Sequence, residues 1–212
     1  PIRSSAASDV YKRQPFASLP GSGMHLHLSL YDNQGENLLA PKNSKKLNQA
    51  VSGILDLMPE SMIFCAPHAN SYHRFEENSY APINATWGKD NRTTALRIPS
   101  GNEDSTRIEH RLSGADANPY LVMAMLISGF LHGFEEDPEI PPETVGNGYE
   151  DGSRPLPQSW EAALDLFQNK SRLSSILGQE FSTLYTQLKS GEQKCFRRVI
   201  TPHEYDWYLH TV

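Results

Sequence analysis

Residues 23–31, which read GMHLHLSLY, alternate between apolar and polar side chains. Side chains alternate across a strand, so the apolar and polar sets would fall on opposite faces of an extended backbone. The pattern predicts a β-strand with one face in the core and one polar face. That polar face would carry His25, His27 and Ser29.

Two later segments also predict strands. In residues 106–112 the same alternation places three charged side chains on one face, namely Arg107, Glu109 and Arg111. Residues 93–99 form a further expected strand, with Arg92 just before it and Arg97 within it. These segments are expected to pair in one sheet and to bring their polar faces together.

Two segments after the first strand have sequence signals typical of helices. Apolar residues recur every three or four positions from Leu47 to Met58, and Pro59 is expected to end that helix. Asn118 and Pro119 are typical of an N-cap and a first helical position. The helix that follows is apolar nearly all round, so it is expected to be buried.

No strand is predicted after residue 112. Prolines cluster in residues 137–158 and predict an irregular excursion. Helices are expected over residues 160–167 and 176–188, and a capping box at residues 201–204 opens a terminal helix. Strands followed by helices indicate an α+β fold, for which we predict a curved antiparallel sheet and a helical C-terminal region.

Composition excludes several classes of function. The formal net charge of −6 argues against a nucleic-acid partner, and no apolar run reaches the ~18 residues of a membrane span. The two cysteines suggest no disulfide framework, so a cytoplasmic location is expected. Residues 1–14 share no pattern with the rest and are interpreted as unassigned, non-native sequence, which leaves residues 15–212 as one partial domain.

The His-x-His-x-Ser pattern has two interpretations. Imidazoles can bind a divalent cation, and a hydroxyl can bind a phosphate or a ribose. The alternative is an ordinary exposed sheet face. Gly21 and Gly23 precede the pattern and would let the backbone approach a ligand closely.

The Arg-x-Glu-x-Arg pattern is also ambiguous when taken alone, because an ion-pair ladder would look the same. With Arg92 and Arg97 added, however, the arginines outnumber what Glu109 can neutralise. Arginine side chains match phosphate and carboxylate geometry, and a carboxylate suits Mg²⁺ or Mn²⁺. A polyphosphate with a metal would balance such a site.

The ordered set of motifs resembles the glutamine synthetase family. The motifs are GSGMHLHLS, NSYHRF, NRTTALRIP, RIEHR and ADANPYL, which cover roughly residues 15–135, together with the ending TPHEYDWYLHTV. The resemblance implies an ATP-dependent ligase that phosphorylates the γ-carboxylate of glutamate and then transfers the acyl group to an amine.

The resemblance also implies a role for each matching position. His25 matches a metal ligand, and Glu109 matches the carboxylate that holds the other catalytic metal, with Mg²⁺ or Mn²⁺ as the expected ions. The positions that match nucleotide contacts are His27, Ser29, Arg92, Arg97 and Arg107, and of these Arg92 and Arg97 match the arginines around the transferred phosphate. The positions that match glutamate binders are Gly21, Arg74 and Arg111.

Tyr80 stands where family members that use ammonia carry a glutamate. A phenol is a poor base at neutral pH but offers a flat apolar wall. This feature resembles the branch that makes γ-glutamylpolyamines or γ-glutamylputrescine, with ammonia as the alternative acceptor. A non-catalytic fragment is a second alternative, because part of the family's metal ligands precede this segment. The family also implies a ring-shaped homo-oligomer.

Overall fold

The strands form one open sheet in the computed structural model, which describes residues 21–169 and 172–209. Spatial order within the sheet is β1, β4, β3, β2. β1 pairs antiparallel with β4, and β4 pairs antiparallel with β3. The strand bounds are β1 Leu26–Leu28, β2 Trp87–Lys89, β3 Leu96–Ile98 and β4 Ile108–His110.

The predicted α+β class is confirmed, but the sheet is not antiparallel throughout. β2 and β3 pair in parallel, with Trp87 opposite Leu96 and Lys89 opposite Ile98. Residues 90–95 connect the two strands; they begin at Asp90, with a positive φ of 48°, and run back along β2 to its starting end. The chain therefore enters β3 from the same end at which it entered β2.

Six α-helices follow or interrupt the strands in the described residues. A hydrophobic core lies between the helices and the apolar face of the sheet. The sheet contributes Leu28, Leu96 and Ile108 to it. The predicted helix over residues 176–188 is wrong as a single element, because Gly178, with φ of 92°, separates two helices. The helix bounds are α1 Ser44–Cys65, α2 Pro119–Glu136, α3 Trp160–Gln168, α4 Arg172–Leu177, α5 Gln179–Phe196 and α6 Pro202–Tyr208.

Helix α1 does not end at Pro59, so that prediction is wrong. Proline lacks the N–H that would bond to the carbonyl of Leu55, four residues earlier. In the structure this carbonyl accepts a long hydrogen bond of 3.5 Å from Arg154 Nη2 instead. A side chain distant in sequence therefore supplies a donor where the proline removes one, and the helix continues to Cys65.

The N-terminus of α2 forms as predicted, with the Asn118 side chain accepting hydrogen bonds from the N–H groups of Tyr120 and Leu121. The expectation that α2 is buried all round is wrong on one side. Met123, Ile127 and Leu131 are exposed, because α2 packs on α1 with its opposite face. None of the helices in residues 21–169 and 172–209 is long and apolar enough to cross a membrane.

Helices α1 and α2 cross at close range over glycines. A Cβ built on Gly133 would lie 1.9 Å from the carbonyl oxygen of Gln49, and one on Gly53 would lie 2.2 Å from the carbonyl oxygen of Gly129. Real atoms cannot approach so closely, so the crossing requires glycine at these positions. The crossing sets the separation of the two helices that support the core.

The proline-rich excursion, residues 137–158, runs along the edge of the sheet. Trp87 donates from Nε1 to the carbonyl of Pro141 at 2.8 Å, and the Trp87 carbonyl accepts from Thr144 N at 2.9 Å. Further along, Ala85 N donates to Arg154 O at 2.8 Å. The excursion thus pairs with the segment that leads into β2, and it covers an edge that would otherwise be open.

Replacing Gly133 with alanine should destabilise the protein by roughly 1–3 kcal/mol, because the new methyl group would overpack the α1–α2 crossing. The matched control is Gly191→Ala on α5, where nothing lies within 4 Å of the added Cβ. That change should stabilise the protein by roughly 0.5–1 kcal/mol through helix propensity. Urea unfolding measures both, and equal effects of the two substitutions would contradict the crossing geometry.

Candidate active site

The pairing register aligns three polar side chains across the sheet. His27 on β1 lies opposite Glu109 on β4, and Glu109 lies opposite Arg97 on β3. Directly paired residues share a face, so the three side chains project on the same side. The apolar neighbours Leu28, Ile108 and Leu96 lie in the core on the other side.

Glu109 is the centre of this face. Its side chain is only 4% exposed, and Oε1 accepts a hydrogen bond of 2.6 Å from Arg111 while Oε2 accepts one of 2.8 Å from Arg97. Burial works to raise the pKa of Glu109, but the hydrogen bonds and charges of the two arginines outweigh it and lower the pKa. The carboxylate is therefore held in its charged form.

His25 lies against the same carboxylate. Its Nδ1 is 3.2 Å from Glu109 Oε1 and 3.5 Å from Arg111 Nη1. Burial first, and the charge of Arg111 second, lower the pKa of His25 to about 4. The imidazole is therefore neutral at physiological pH and keeps a nitrogen lone pair available.

The outer part of the face holds Arg107, His27 and Ser29. Arg107 donates from Nε to His27 Nδ1 at 3.1 Å and from Nη1 to the carbonyl of Ser105 at 3.2 Å. Ser29 Oγ lies 3.5 Å from the carbonyl oxygen of Thr106. These side chains form an exposed polar edge beside the buried Glu109 cluster.

Arg74 reaches the cluster from the 3₁₀ helix Ala69–Arg74. Its guanidinium donates to the carbonyls of Leu112 at 3.1 Å and Arg111 at 3.3 Å. A Cβ on Gly23 would lie 2.7 Å from Arg74 Nη2 and 3.3 Å from His25 Nε2. Glycine at position 23 therefore lets Arg74 and His25 approach each other, and half-buried Gly21 leads into this segment.

Two predicted site residues lie apart from the Glu109 cluster. Arg92 is exposed in the return between β2 and β3, and within the described part of the chain no ion pair joins it to Glu109. Tyr80 is 62% exposed and has a positive φ of 57°. Such a backbone is uncommon for a bulky residue and is typical of functional loops.

Sequence reasoning missed two residues that support the site. Asp90 forms an ion pair with Arg97, with 2.9 Å between Oδ1 and Nη2. Tyr149, in the excursion, is buried and donates from its hydroxyl to the carbonyl of Ala81 at 3.2 Å, next to Tyr80. No periodicity marks either residue, so only their spatial neighbours reveal them.

His110 lies beneath the site, on the core side of β4. It is fully buried, and neither ring nitrogen has a hydrogen-bond partner among the described residues. Burial first, and after it the charges of Arg74 and of His25 when His25 is protonated, lower the pKa of His110 to about 3. The ring therefore remains neutral in the folded protein over the physiological range.

The donor set fits a divalent cation in part. A neutral imidazole and a charged carboxylate converge at His25 and Glu109, and both are accepted ligands of Mn²⁺ and related ions. No group of three or more His, Cys, Asp or Glu residues with metal-binding geometry occurs in residues 21–169 and 172–209. These two residues could therefore supply two ligands to a metal and no more.

The chemical capacity of the site follows from its charges. Arg97, Arg107 and Arg111 converge on one face with a single buried carboxylate among them. The excess positive charge suits a phosphate or carboxylate ligand. Donors held in place in this way can stabilise charge that develops on a bound anion.

Comparison with known proteins identifies the class. The family profile for the glutamine synthetase catalytic domain matches residues 8–208, so the chain belongs to the glutamine synthetase family. Gamma-glutamylputrescine synthetase PuuA of Escherichia coli K12 is 42% identical over 203 residues, which cover 94% of this chain and 43% of that protein. The glutamate–isopropylamine ligase of a Pseudomonas species is 32% identical over 96% of this chain and 46% of the ligase.

The fold also matches that of a solved structure. A GmaS/ADP complex superposes with a TM-score of 0.82 at 26% identity, over 94% of this chain and 49% of that one. The chain spans about half the length of the curated relatives it matches, with 43% and 46% of the two named above. The predicted family membership is confirmed, and the position-by-position roles stay predictions.

His110 should make stability depend on pH. Its pKa of about 3 in the folded state lies below its ordinary value of 6.5, so the unfolded chain binds the proton first. Stability is then present above pH 6.5 and is lost as the pH falls towards 3, by at most ~1.4 kcal/mol per pH unit.

Changing His110 to leucine should remove this contribution. Urea unfolding at a series of pH values should show a shallower acid slope than the wild type. Stability at pH 7 should be equal or higher, because two unpartnered nitrogens leave the core. Parallel stability curves for the two proteins would show that His110 does not titrate as a buried neutral ring.

Proposed function

We propose that this chain is the catalytic-domain part of an ATP-dependent ligase that joins glutamate to an organic amine. The observation that carries the proposal is the Glu109 cluster, in which one buried carboxylate is held by Arg97, Arg111 and His25. The family membership and the names of the relatives support it. A cytoplasmic ring-shaped homo-oligomer is part of the same proposal.

The reaction proceeds in two balanced steps. The γ-carboxylate of glutamate attacks the terminal phosphorus of ATP, which forms γ-glutamyl phosphate and releases ADP. The amine nitrogen then attacks the acyl carbon, phosphate leaves, and the nitrogen loses a proton. Such chemistry requires chiefly positioning and charge stabilisation from the protein.

His25 and Glu109 are proposed to hold Mg²⁺ or Mn²⁺. His25 contributes a neutral nitrogen and Glu109 a charged oxygen, and the two atoms are already 3.2 Å apart. A bound divalent cation supplies positive charge beside the transferring phosphoryl group. The remaining ligands are proposed to come from outside the described residues.

ATP is proposed to bind along the outer edge of the face. His27, Ser29 and Arg107 lie there, and the Arg107 guanidinium keeps donors free beyond its bonds to His27 and Ser105. Arg97 and Arg92 are proposed to act on the transferred phosphate. Arg97 is already in the cluster, whereas Arg92 would have to reach it from the exposed return.

Glutamate is proposed to bind near Gly21, Arg74 and Arg111. Arg111 is buried and close to Glu109, and Arg74 borders the same space through the carbonyls of Arg111 and Leu112. A guanidinium pairs well with a carboxylate in two-point geometry. Gly23 carries no Cβ, so the Arg74 guanidinium can lie close to its backbone.

The acceptor is proposed to be a polyamine or another primary amine. Tyr80 projects from a backbone of positive φ and presents an exposed phenol rather than a carboxylate. Ammonium capture needs negative charge and a base, neither of which a phenol supplies at pH 7. The relatives include a gamma-glutamylputrescine synthetase and a glutamate–isopropylamine ligase by name, which supports the organic amine.

The test is an acceptor panel on the full-length protein. Glutamate-dependent phosphate release is measured with ammonium, putrescine, spermidine and ethylamine, and kcat/KM is compared. We expect an organic amine to exceed ammonium by about tenfold or more, which is about 1.4 kcal/mol of transition-state stabilisation. A tenfold preference for ammonium would contradict the acceptor.

Variants of Tyr80 in the same panel test whether this residue determines the acceptor. Tyr80→Glu should raise kcat/KM for ammonium and lower it for the amines, because a carboxylate attracts ammonium and accepts its proton. Tyr80→Phe is the matched control, since it keeps the flat ring and adds no charge. An identical acceptor profile in both variants would remove Tyr80 from the acceptor site.

A further inference from the structure

Asp90 lies at the end of β2, where the chain turns back towards β3. Its backbone has φ of 48°, and its N–H donates to the carbonyl of Ile98 at 3.0 Å. Its Oδ1 accepts from Ser100 N at 2.9 Å, and Oδ2 accepts from the Ser100 hydroxyl. The carboxylate therefore bridges the end of β2 and the exit of β3.

The same carboxylate holds Arg97. Oδ1 accepts from Arg97 Nη2 at 2.9 Å, while Arg97 Nη1 donates to Glu109 Oε2 at 2.8 Å. The two carboxylates thus fix the two terminal nitrogens of one guanidinium. Glu109 does so from the buried side, with 4% exposure, and Asp90 from the solvent side, with 44% exposure.

The two anchors differ in what else they are required to do. Glu109 also contacts Arg111 and His25, and a cation bound by Glu109 would compete with its hold on Arg97. Among the described residues, the other partners of Asp90 are the amide and the hydroxyl of Ser100, and neither competes with its contact to Arg97. These bonds lower the pKa of Asp90 to about 2, so it stays charged. Asp90 would therefore still hold the Arg97 guanidinium when Glu109 binds a cation.

We propose that Asp90 is a positioning residue that keeps the guanidinium of Arg97 aimed at the reacting phosphate. The proposal rests on the proposed function, because it gives Asp90 a role through an arginine of that reaction. Without Asp90, Arg97 loses one of two fixed contacts and samples more rotamers when Glu109 binds a cation. Misplacement of a charge-stabilising group lowers the rate of transfer more than it lowers the affinity for ATP.

The competing interpretation is that Asp90 only shapes the return between the strands. Ser100→Ala tests it, because this variant loses the hydroxyl partner of Asp90 but keeps the Ser100 amide and the ion pair with Arg97. Asp151→Asn is the matched control for loss of a surface carboxylate. Asp151 also accepts from a serine, at 2.6 Å from Ser153 Oγ, and from Thr144, and it contacts no arginine in the described part of the chain.

The experiment compares Asp90→Asn, Ser100→Ala and Asp151→Asn in the complete ligase, each alone, with kcat, KM for ATP and Tm as readouts. Asp90→Asn should lower kcat about tenfold or more while KM for ATP and Tm change little. Ser100→Ala and Asp151→Asn should stay within about threefold of the wild type. In an Arg97→Lys background, Asp90→Asn should cost less than about threefold, because the residue acts through Arg97.

Three results would overturn the proposal. One is a kcat for Asp90→Asn within about threefold of the wild type. Another is an equal loss in the Arg97→Lys background. The third is a loss that Ser100→Ala reproduces together with a fall in Tm, which assigns Asp90 to the loop. A wild-type protein that releases no phosphate with glutamate and any amine would overturn the proposed function itself, and the role of Asp90 with it.

Discussion

The site of this chain depends on a carboxylate that is buried in its charged form. The Glu109 side chain is 4% exposed on the central part of the sheet, where an unpaired charge would cost several kcal/mol. Arg97 and Arg111 provide the charge and the hydrogen bonds that make its burial tolerable. Because both arginines have spare donors, the same arrangement leaves positive charge on the face that a phosphate would approach.

The rest of the fold holds these side chains in register. Antiparallel pairing sets His27, Glu109 and Arg97 side by side, so their spacing is fixed by the backbone rather than by long flexible loops. The close helix crossing at Gly133 supports the core beneath the sheet, and the excursion over residues 137–158 covers its edge. A site on paired strands is more rigid than one on loops alone.

Much of this site could be predicted from the sequence, because successive side chains of a strand point to opposite faces. Alternation in residues 23–31 and 106–112 predicted that His25 and Glu109 share one polar face, and in the structure His25 Nδ1 lies 3.2 Å from Glu109 Oε1. The continuation of α1 through Pro59 could not be predicted, because the compensating donor is Arg154, far along the chain. Rules based on neighbouring residues account only for the hydrogen bond that the proline removes.

Asp90 and the parallel pair escaped prediction for a similar reason. A parallel pair usually needs a crossover of a dozen or more residues, so a short return through residues 90–95 is not a pattern that sequence rules anticipate. A single aspartate carries no periodic signal, and its meaning comes from Arg97 and Ser100 beside it. The exposed side of α2 likewise shows that apolar composition alone does not determine burial.

The most direct test of the account is to locate a bound cation. Crystals of the complete protein, soaked with Mn²⁺ and ADP, would be measured at a wavelength where manganese scatters anomalously. The account predicts a peak within bonding distance of His25 Nδ1 and a Glu109 oxygen, with Arg97 still held by Asp90. Manganese bound elsewhere, with His25 and Glu109 still in contact with each other and with both arginines, would contradict the claim that this face is a metal-dependent phosphoryl-transfer site.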